Sequence, residues 1–489
     1  MSVWPEPAAA ERQHSARRVW VLTMALLYPL CVMWALTNPM FASPDEPAHI
    51  ARAQGFARGD FSDPYETDGL PVRAQECYAF NAAITADCAA LDWRPDGTEV
   101  KSKTDGYPPV FHAVAAVPAL VTSGLVGTYV MRLWMAFVCC ALIGWAAVLM
   151  LRPARSRWLL VGLLMGLTPV SVFVMSTVNP SGITVALTAV AVAGLVARLR
   201  WDDRRLSVWV AIGVGLLGLV LVRRDGVAWV ASILLVIVPV LRADPEWRLR
   251  ALQRWREVMG PRARAALSVL GALFVVGVVA GVVWVIPVLD RFVSTGEIGG
   301  NGSRWQGIGS ISLYLNQMMG TFGWVDTFIG PELYTLAMVA AGVLVAVALT
   351  GGRWEWSRAT AIALLLLFVV PVTFGFVKYP YFQGRYLLAI WMALMLVAAV
   401  AVSASDAGER LRIRLGGGLM AVWWIVHLVS FGQNLRRYSV GLTGGWGDVV
   451  SNPAWEPPMM SNGVALALLV VLVAIPTPLV ARQLLLTTR

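Results

Sequence analysis

Apolar runs long enough to cross a bilayer recur along almost the whole chain, separated by short stretches that carry its arginines, prolines and glycines. The first extends from Val19 to about Thr37. Clear successors are Tyr129–Leu151, Trp158–Met175, Gly182–Arg198, Leu206–Val222, Val227–Leu241 and Ala266–Leu289. Tyr334–Thr350, Thr360–Val377, Tyr386–Val402, Gly416–Gly432 and Gly463–Val480 complete the series. The pattern predicts an all-α, polytopic integral membrane protein of about 12 transmembrane helices, folded as one unit over residues 1–489.

Two long polar intervals interrupt the series, residues 38–128 and 290–333. In the first, Asp60 to Gly106 is rich in Asp, Pro and Gly and is expected to be irregular. Tyr107 to Val121 is apolar but broken by Pro108, Pro109 and Pro118, which predicts a juxtamembrane helix lying along the interface rather than a span. In the second, Gly296 to Gly309 is glycine-rich with no strand before it, so a mobile loop or a substrate lid is expected there, not a nucleotide loop.

Composition agrees: 58% of residues are hydrophobic, 14% are charged and the mean hydropathy is +0.66, outside the range of soluble domains. The net charge of +10 does not point to nucleic acid, because the basic residues fall in short loops between spans. They set topology instead. Arg17 and Arg18 precede the first span, which has no small-residue cleavage site, and the runs Arg152 to Arg157 and Arg242 to Arg264 lie on the same side. Both termini are then cytoplasmic, and the two long loops face outward from the plasma membrane. Cys31, Cys139 and Cys140 sit in apolar spans as small hydrophobes, whereas Cys77 and Cys88 lie in the first loop at a spacing that suits a disulfide on an oxidising side.

The chemistry concentrates in Asn38 to Gln54, NPMFASPDEPAHIARAQ, at the exit of the first span. Asp45 and Glu46 stand between Pro44 and Pro47. A helix beginning near Asp45 puts Asp45 and His49 on one face, with Arg52 and Gln54 at its flank. Ser43, Pro44 and Glu46 also spell a capping box, which would leave Glu46 to the helix terminus and Asp45 as the general base. Lys378 and Arg385 fall at the outer ends of consecutive spans among aromatics, against the charge rule, and suit phosphate. Arg132, Arg223 and Arg224 are outer-end arginines of the same type. His112 and His427 read as packing residues.

Four segments carry a family likeness: SPDEPAHIARA (Ser43 to Ala53), STVNPSGI (Ser176 to Ile183), GTFGWVDTFIGP (Gly320 to Pro331) and QGRYLLAI (Gln383 to Ile390). In these the chain resembles the DUF2142 predicted membrane proteins, of the GT-C superfamily of membrane glycosyltransferases. The resemblance implies transfer of a sugar from a polyprenyl-phosphate-linked donor, with inversion, to a cell-envelope glycan or glycolipid acceptor on the extracytoplasmic side. It implies that Asp45, with Glu46 beside it, is the catalytic carboxylate. Together with the reading of the residues this gives a catalytic set of Asp45, Glu46 and His49, donor-phosphate binding by Arg385, Lys378 and Arg132, and substrate contacts from Asn179, Trp324, Asp326, Gln383 and Tyr386. The family pattern after the third span is Asn-Pro-Asp, where this chain has Asn179-Pro180-Ser181, and the serine lacks the carboxylate that a divalent metal such as Mg or Mn would use. A transporter or flippase of lipid-linked sugars and a non-catalytic scaffold are the competing expectations.

Overall fold

The computed structural model describes residues 9–89, 91, 98–102, 104, 106–151, 156–243, 309–376, 382–404 and 414–486. The expected span Ala266–Leu289, the glycine-rich stretch up to Ile308 and Lys378 lie outside the described residues.

The chain is a bundle of apolar helices. α1 (Ala9–Thr37) leads into the short α2 (Glu46–Ala57) and α3 (Val110–Ala116), and α4 (Gly124–Leu151) follows. Next come α5 (Arg157–Gly166), α6 (Pro169–Met175), α7 (Pro180–Arg200), α8 (Leu206–Val222) and α9 (Gly226–Arg242). The second half holds α10 (Ile311–Gly320), α11 (Pro331–Gly351), α12 (Trp354–Phe376), α13 (Leu388–Ser403) and α14 (Arg414–Val440). A terminal rod runs from α15 (Asn462–Leu469) through a π turn at Val470–Ala474 into α16 (Pro476–Leu486). Among the described residues, eight helices are long and apolar enough to cross a membrane. α8 and α9 are shorter, at 17 residues each, which spans about 25 Å.

One expected span is not straight. Trp158–Met175 is two helices meeting at 64°. Leu167 is extended, Thr168 caps α6 by accepting from the Ser171 amide at 3.1 Å, and Pro169 occupies the first turn where its missing N–H costs nothing. The break frees carbonyls inside an apolar bundle, and side chains from two other helices satisfy them. Trp391 donates to the Met165 carbonyl at 2.8 Å and Trp423 to that of Leu167 at 2.9 Å, with His427 Nε2 also 2.9 Å from the Leu167 carbonyl. His427 is therefore a hydrogen-bonding strut, beyond simple packing.

Burial shows which helices form the centre. Every residue of α13 from Leu388 to Val402 is buried, and α7 is buried over nearly its whole length, whereas only a third of the apolar windows of α11 and α12 is covered. A helix apolar on all sides belongs inside such a bundle. α13 packs against α5, α7, α11 and α12, and α4 bridges α1 to α7.

The loops gather at one end. Tyr107–Val121 contains only the seven residues of α3 and a 3₁₀ turn at Pro118–Leu120, far short of a span. The irregular stretch before it holds a two-stranded ribbon, β1 (Tyr65–Thr67) antiparallel to β2 (Thr98–Val100). A second ribbon, β3 (Thr321–Phe322) with β4 (Thr327–Phe328), closes the tight loop before α11. α13 enters this end through a 3₁₀ turn, Gly384–Leu387, which delivers Arg385 and Tyr386 to the first loop.

Candidate functional site

The segment between α1 and α2 is held through its own carbonyls. Arg132 takes the carbonyls of Ala35, Asn38 and Pro39 at 3.2, 2.9 and 2.8 Å, Tyr78 Oη donates to Met40 at 2.8 Å, and Trp324 Nε1 donates to Phe41 at 2.9 Å. The Pro44 carbonyl accepts from Asn179 Nδ2 at 3.0 Å and from Arg385 Nη1 at 3.2 Å. Donors from five separate parts of the chain thus fix a loop that has almost no regular structure. At its end Asp45 adopts φ 65° and ψ −2°, a left-handed conformation that Asp tolerates better than most residues, and serves as the N-cap of α2 without a side-chain cap bond.

This geometry corrects the role of Glu46. Ser43 does not cap the helix; its carbonyl accepts the Glu46 amide at 3.2 Å, and the Glu46 side chain turns inward. There it is fully buried. Arg132 donates Nε to Oε1 at 2.8 Å and Nη2 to Oε2 at 2.6 Å, and the Val178 amide adds a bond to Oε1 at 3.1 Å. Arg132 in turn spends its nitrogens on Glu46 and the three carbonyls, so neither residue is available to a donor phosphate or an acceptor. The pair is an internal post that joins α2, α4 and the Val178 turn, its two charges tolerable at such depth because every polar atom is answered.

Asp45 faces the other way. Its side chain is 50% exposed, and Arg385 Nη2 donates to Oδ2 at 2.5 Å. Burial pulls the carboxyl up, but the charge and hydrogen bond of Arg385, with the charge of Arg223, outweigh it and hold Asp45 below the usual carboxylate range. Asp45 is ionised at neutral pH.

Beside this pair stand two more arginines from the turn between α8 and α9. Arg223 donates through Nε and Nη2 to both oxygens of Asp225, at 2.7 and 2.9 Å, and through Nη1 to Ser181 Oγ at 2.8 Å. Its guanidinium lies 4.8 Å from the centre of the Tyr386 ring, and that of Arg385 lies 5.4 Å from the same ring. Arg224 covers Tyr107 at 4.6 Å and packs so closely on Gly106 that a Cβ there would come within 2.9 Å of it. Three guanidinium groups against Asp45 and Asp225 leave this corner positive, two of them over the Tyr386 ring and one over that of Tyr107. Asn179 serves architecture: its Oδ1 caps α7 at the Ser181 amide (2.9 Å) while its amide holds Pro44.

A divalent metal does not fit these residues. Ser181 Oγ accepts from a guanidinium, Asp225 has both oxygens on that same guanidinium, and Asp45 is on Arg385. Among the described residues no group of three His, Cys, Asp or Glu side chains converges in a way that holds a cation.

His49 and His112 form a buried pair, Nδ1 to Nε2 at 3.1 Å, boxed by Tyr107 and Phe111. Burial pushes His49 down to about 3 and His112 well below the ordinary imidazole value, so both are neutral. His112 is thus more than a packing residue. Arg52 donates to the Tyr107 carbonyl at 3.0 Å and to that of Thr104, and Gln54 accepts from the Asp68 amide at 3.3 Å, which ties α2 to the first loop.

The profile described as predicted membrane protein (DUF2142) matches residues 29–396. The chain belongs to the DUF2142 family. No curated protein matches it. Among solved structures it is similar to ArnT from Cupriavidus metallidurans in the apo state, at 16% identity and a TM-score of 0.47, covering 94% of this chain and 71% of that one. It is also similar to the same organism's ArnT bound to undecaprenyl phosphate, at 16% identity and a TM-score of 0.44, covering 98% and 74%.

Within this DUF2142 chain, two other expected substrate residues are bonded to the framework. Asp326 is buried and accepts from Arg437 Nη2 at 2.8 Å, and Trp324 is committed to Phe41. Arg437 also holds the carbonyls of Ile84, Tyr78 and Asn81 at 2.6, 2.8 and 3.0 Å, so it locks the first loop onto the β3–β4 ribbon. Cys77 and Cys88, joined by a disulfide, flank that locked turn. Gln383 and Tyr386 do reach the site, on either side of Arg385. The DUF2142 site therefore assembles Asp45, Arg385, Arg223, Arg224, Tyr107, Tyr386 and Gln383, and leaves Glu46, Arg132, Trp324 and Asp326 to its framework.

Proposed function

We propose that this protein is a multi-pass membrane glycosyltransferase of the GT-C kind. It moves a sugar from a polyprenyl-phosphate donor to a hydroxyl of a cell-envelope glycan or glycolipid on the extracytoplasmic side. The observation that carries this reading is the Asp45–Arg385 pair, a half-exposed carboxylate held against a buried guanidinium at a loop-lined end of a membrane bundle.

The two groups suit the two charges that sugar transfer creates. The acceptor hydroxyl gives its proton to Asp45 as its oxygen attacks the anomeric carbon from the face opposite the phosphate. The carbon–oxygen bond to phosphate breaks, and polyprenyl phosphate leaves with the bonding pair, which inverts the anomeric centre. Arg385, helped by Arg223 and Arg224, neutralises that departing phosphate in a site with little water. A positioned base of this kind supplies roughly 10² to 10⁴ in rate. Before donor arrives Arg385 is occupied by Asp45, so phosphate binding and release of the base are the same event. No step needs a metal.

The test is transfer by purified protein from synthetic polyprenyl phosphosugars to glycan or glycolipid acceptors, read by mass spectrometry of the product. Movement of intact donor across a liposome without a new glycosidic bond would replace this reading with a transporter. Neither transfer nor donor binding over a broad panel would leave a scaffold.

A further inference from the structure

Bordered by Pro44 and Arg385 lies a small cleft that the proposed reaction does not use. Its floor is apolar, from Val170, Phe173 and Val174 of α6, the second half of the broken span. The rest of its lining includes Pro44 and the polar side chains of Gln317, Thr321, Gln383 and Arg385. Its volume is about 20 Å³, room for about one water-sized group.

Two polar atoms are stranded beside it. Gln383 Oε1 and Arg385 Nε are both buried and have no hydrogen-bond partner. A buried acceptor and a buried donor left unanswered are costly, and a ligand group that bonds to both would relieve that cost. An acceptor and a donor carried by two residues that line one cleft together match a hydroxyl, which can give its hydrogen to Gln383 and take one from Arg385. The apolar floor suits the methylene that bears it. The backbone around Gln383 is fixed, since the Gly384 amide donates to Gln317 Oε1 at 2.8 Å and any Cβ on Gly384 would collide with the Tyr314 carbonyl.

We propose that this cleft reads the exocyclic hydroxymethyl group of the donor sugar. The inference rests on the glycosyltransferase reading, in which the Arg385 guanidinium binds the phosphate through its Nη atoms and so sets the sugar beside Nε. The preferred donor is then a neutral hexopyranosyl unit. The cleft has no carboxylate in its lining to receive an ammonium group.

The experiment compares polyprenyl-phosphate hexosyl donors of gluco, galacto and manno configuration with their 6-deoxy counterparts, measuring both kcat/KM and donor Kd. The wild-type protein should prefer at least one hexosyl donor over its 6-deoxy form by about 100-fold or more in kcat/KM, because a site built around a hydroxyl penalises its absence heavily. Gln383→Met should bring that ratio to within about threefold, mainly by loss of the hexosyl rate. Val174→Leu, which fills the floor without touching either polar atom, should likewise act against the hexosyl donor. Transfer of both donor types at equal rates, or an unchanged preference in Gln383→Met, would show that the cleft holds only water and would overturn this inference while leaving the transferase intact. Absence of both transfer and binding would sink the transferase reading, and this one with it.

Discussion

Arg385 joins the two ends of the family-matched region: its Nη1 holds the Pro44 carbonyl at 3.2 Å while its Nη2 holds the Asp45 carboxylate at 2.5 Å. One guanidinium thus fixes both the backbone and the side chain of the proposed base. The carboxylate is kept ionised by the same guanidinium that the proposed mechanism assigns to the donor phosphate.

Glu46 lies next in sequence to Asp45 and has the opposite fate. Glu46→Gln leaves Arg132 as an uncompensated charge in the bundle, which should cost about 3–5 kcal/mol. Thermal unfolding in detergent should show a large loss, and so should Arg132→Gln. A loss under about 1 kcal/mol in both would contradict the internal-post role.

The His49–His112 pair predicts acid sensitivity. Both histidines have folded-state values below the ordinary imidazole value, His49 at about 3, so the unfolded chain binds more protons than the folded one as pH falls below about 6.5. Their contribution is complete above that pH and is lost on the way down towards 3, by up to about 1.4 kcal/mol per pH unit for each ring. Melting temperature should drop between pH 6.5 and 4.5. The combined change His49→Gln and His112→Phe should flatten that slope, and an unaltered slope would refute the assignment.

Arg437 predicts a local effect far from the chemistry. Arg437→Leu removes the donors to Tyr78, Asn81 and Ile84 and the partner of Asp326, so hydrogen exchange should rise in residues 74–89 and in the β3–β4 ribbon together. Change confined to one of these segments would mean that Arg437 is not their joint.

These pairings also show where sequence reading stops. Helical spans and the Asp45 segment were legible because hydropathy and proline placement are local properties. The partner of Glu46 lies 86 positions away and that of Asp326 lies 111, and no local pattern distinguishes a carboxylate aimed at solvent from one aimed at a buried arginine. Arg132 and Arg385 look alike as outer-end arginines, yet one is spent on three carbonyls and Glu46 and the other borders the site. The break in Trp158–Met175 did have a signal: Thr168 followed by Pro169 is a helix start, which averaging over a long apolar window conceals. The His49–His112 contact had none, since the two rings come from separate parts of a largely irregular loop.

The central claim, that Asp45 is the base and competes with donor phosphate for Arg385, is tested most directly by turnover and donor affinity in Asp45→Asn. Asparagine keeps the size but removes both the basicity and the charge that occupies Arg385. Turnover should fall by about 100-fold or more, while affinity for polyprenyl phosphate holds or rises by up to about tenfold. Because Arg385 holds the Asp45 carboxyl low in the free protein, the wild-type kcat/KM, which reports the free enzyme, should lose activity on the acid side only below the ordinary carboxylate range. Turnover within about threefold of wild type, or weakened donor binding with turnover intact, would contradict the account and leave the Asp45–Arg385 pair as framework.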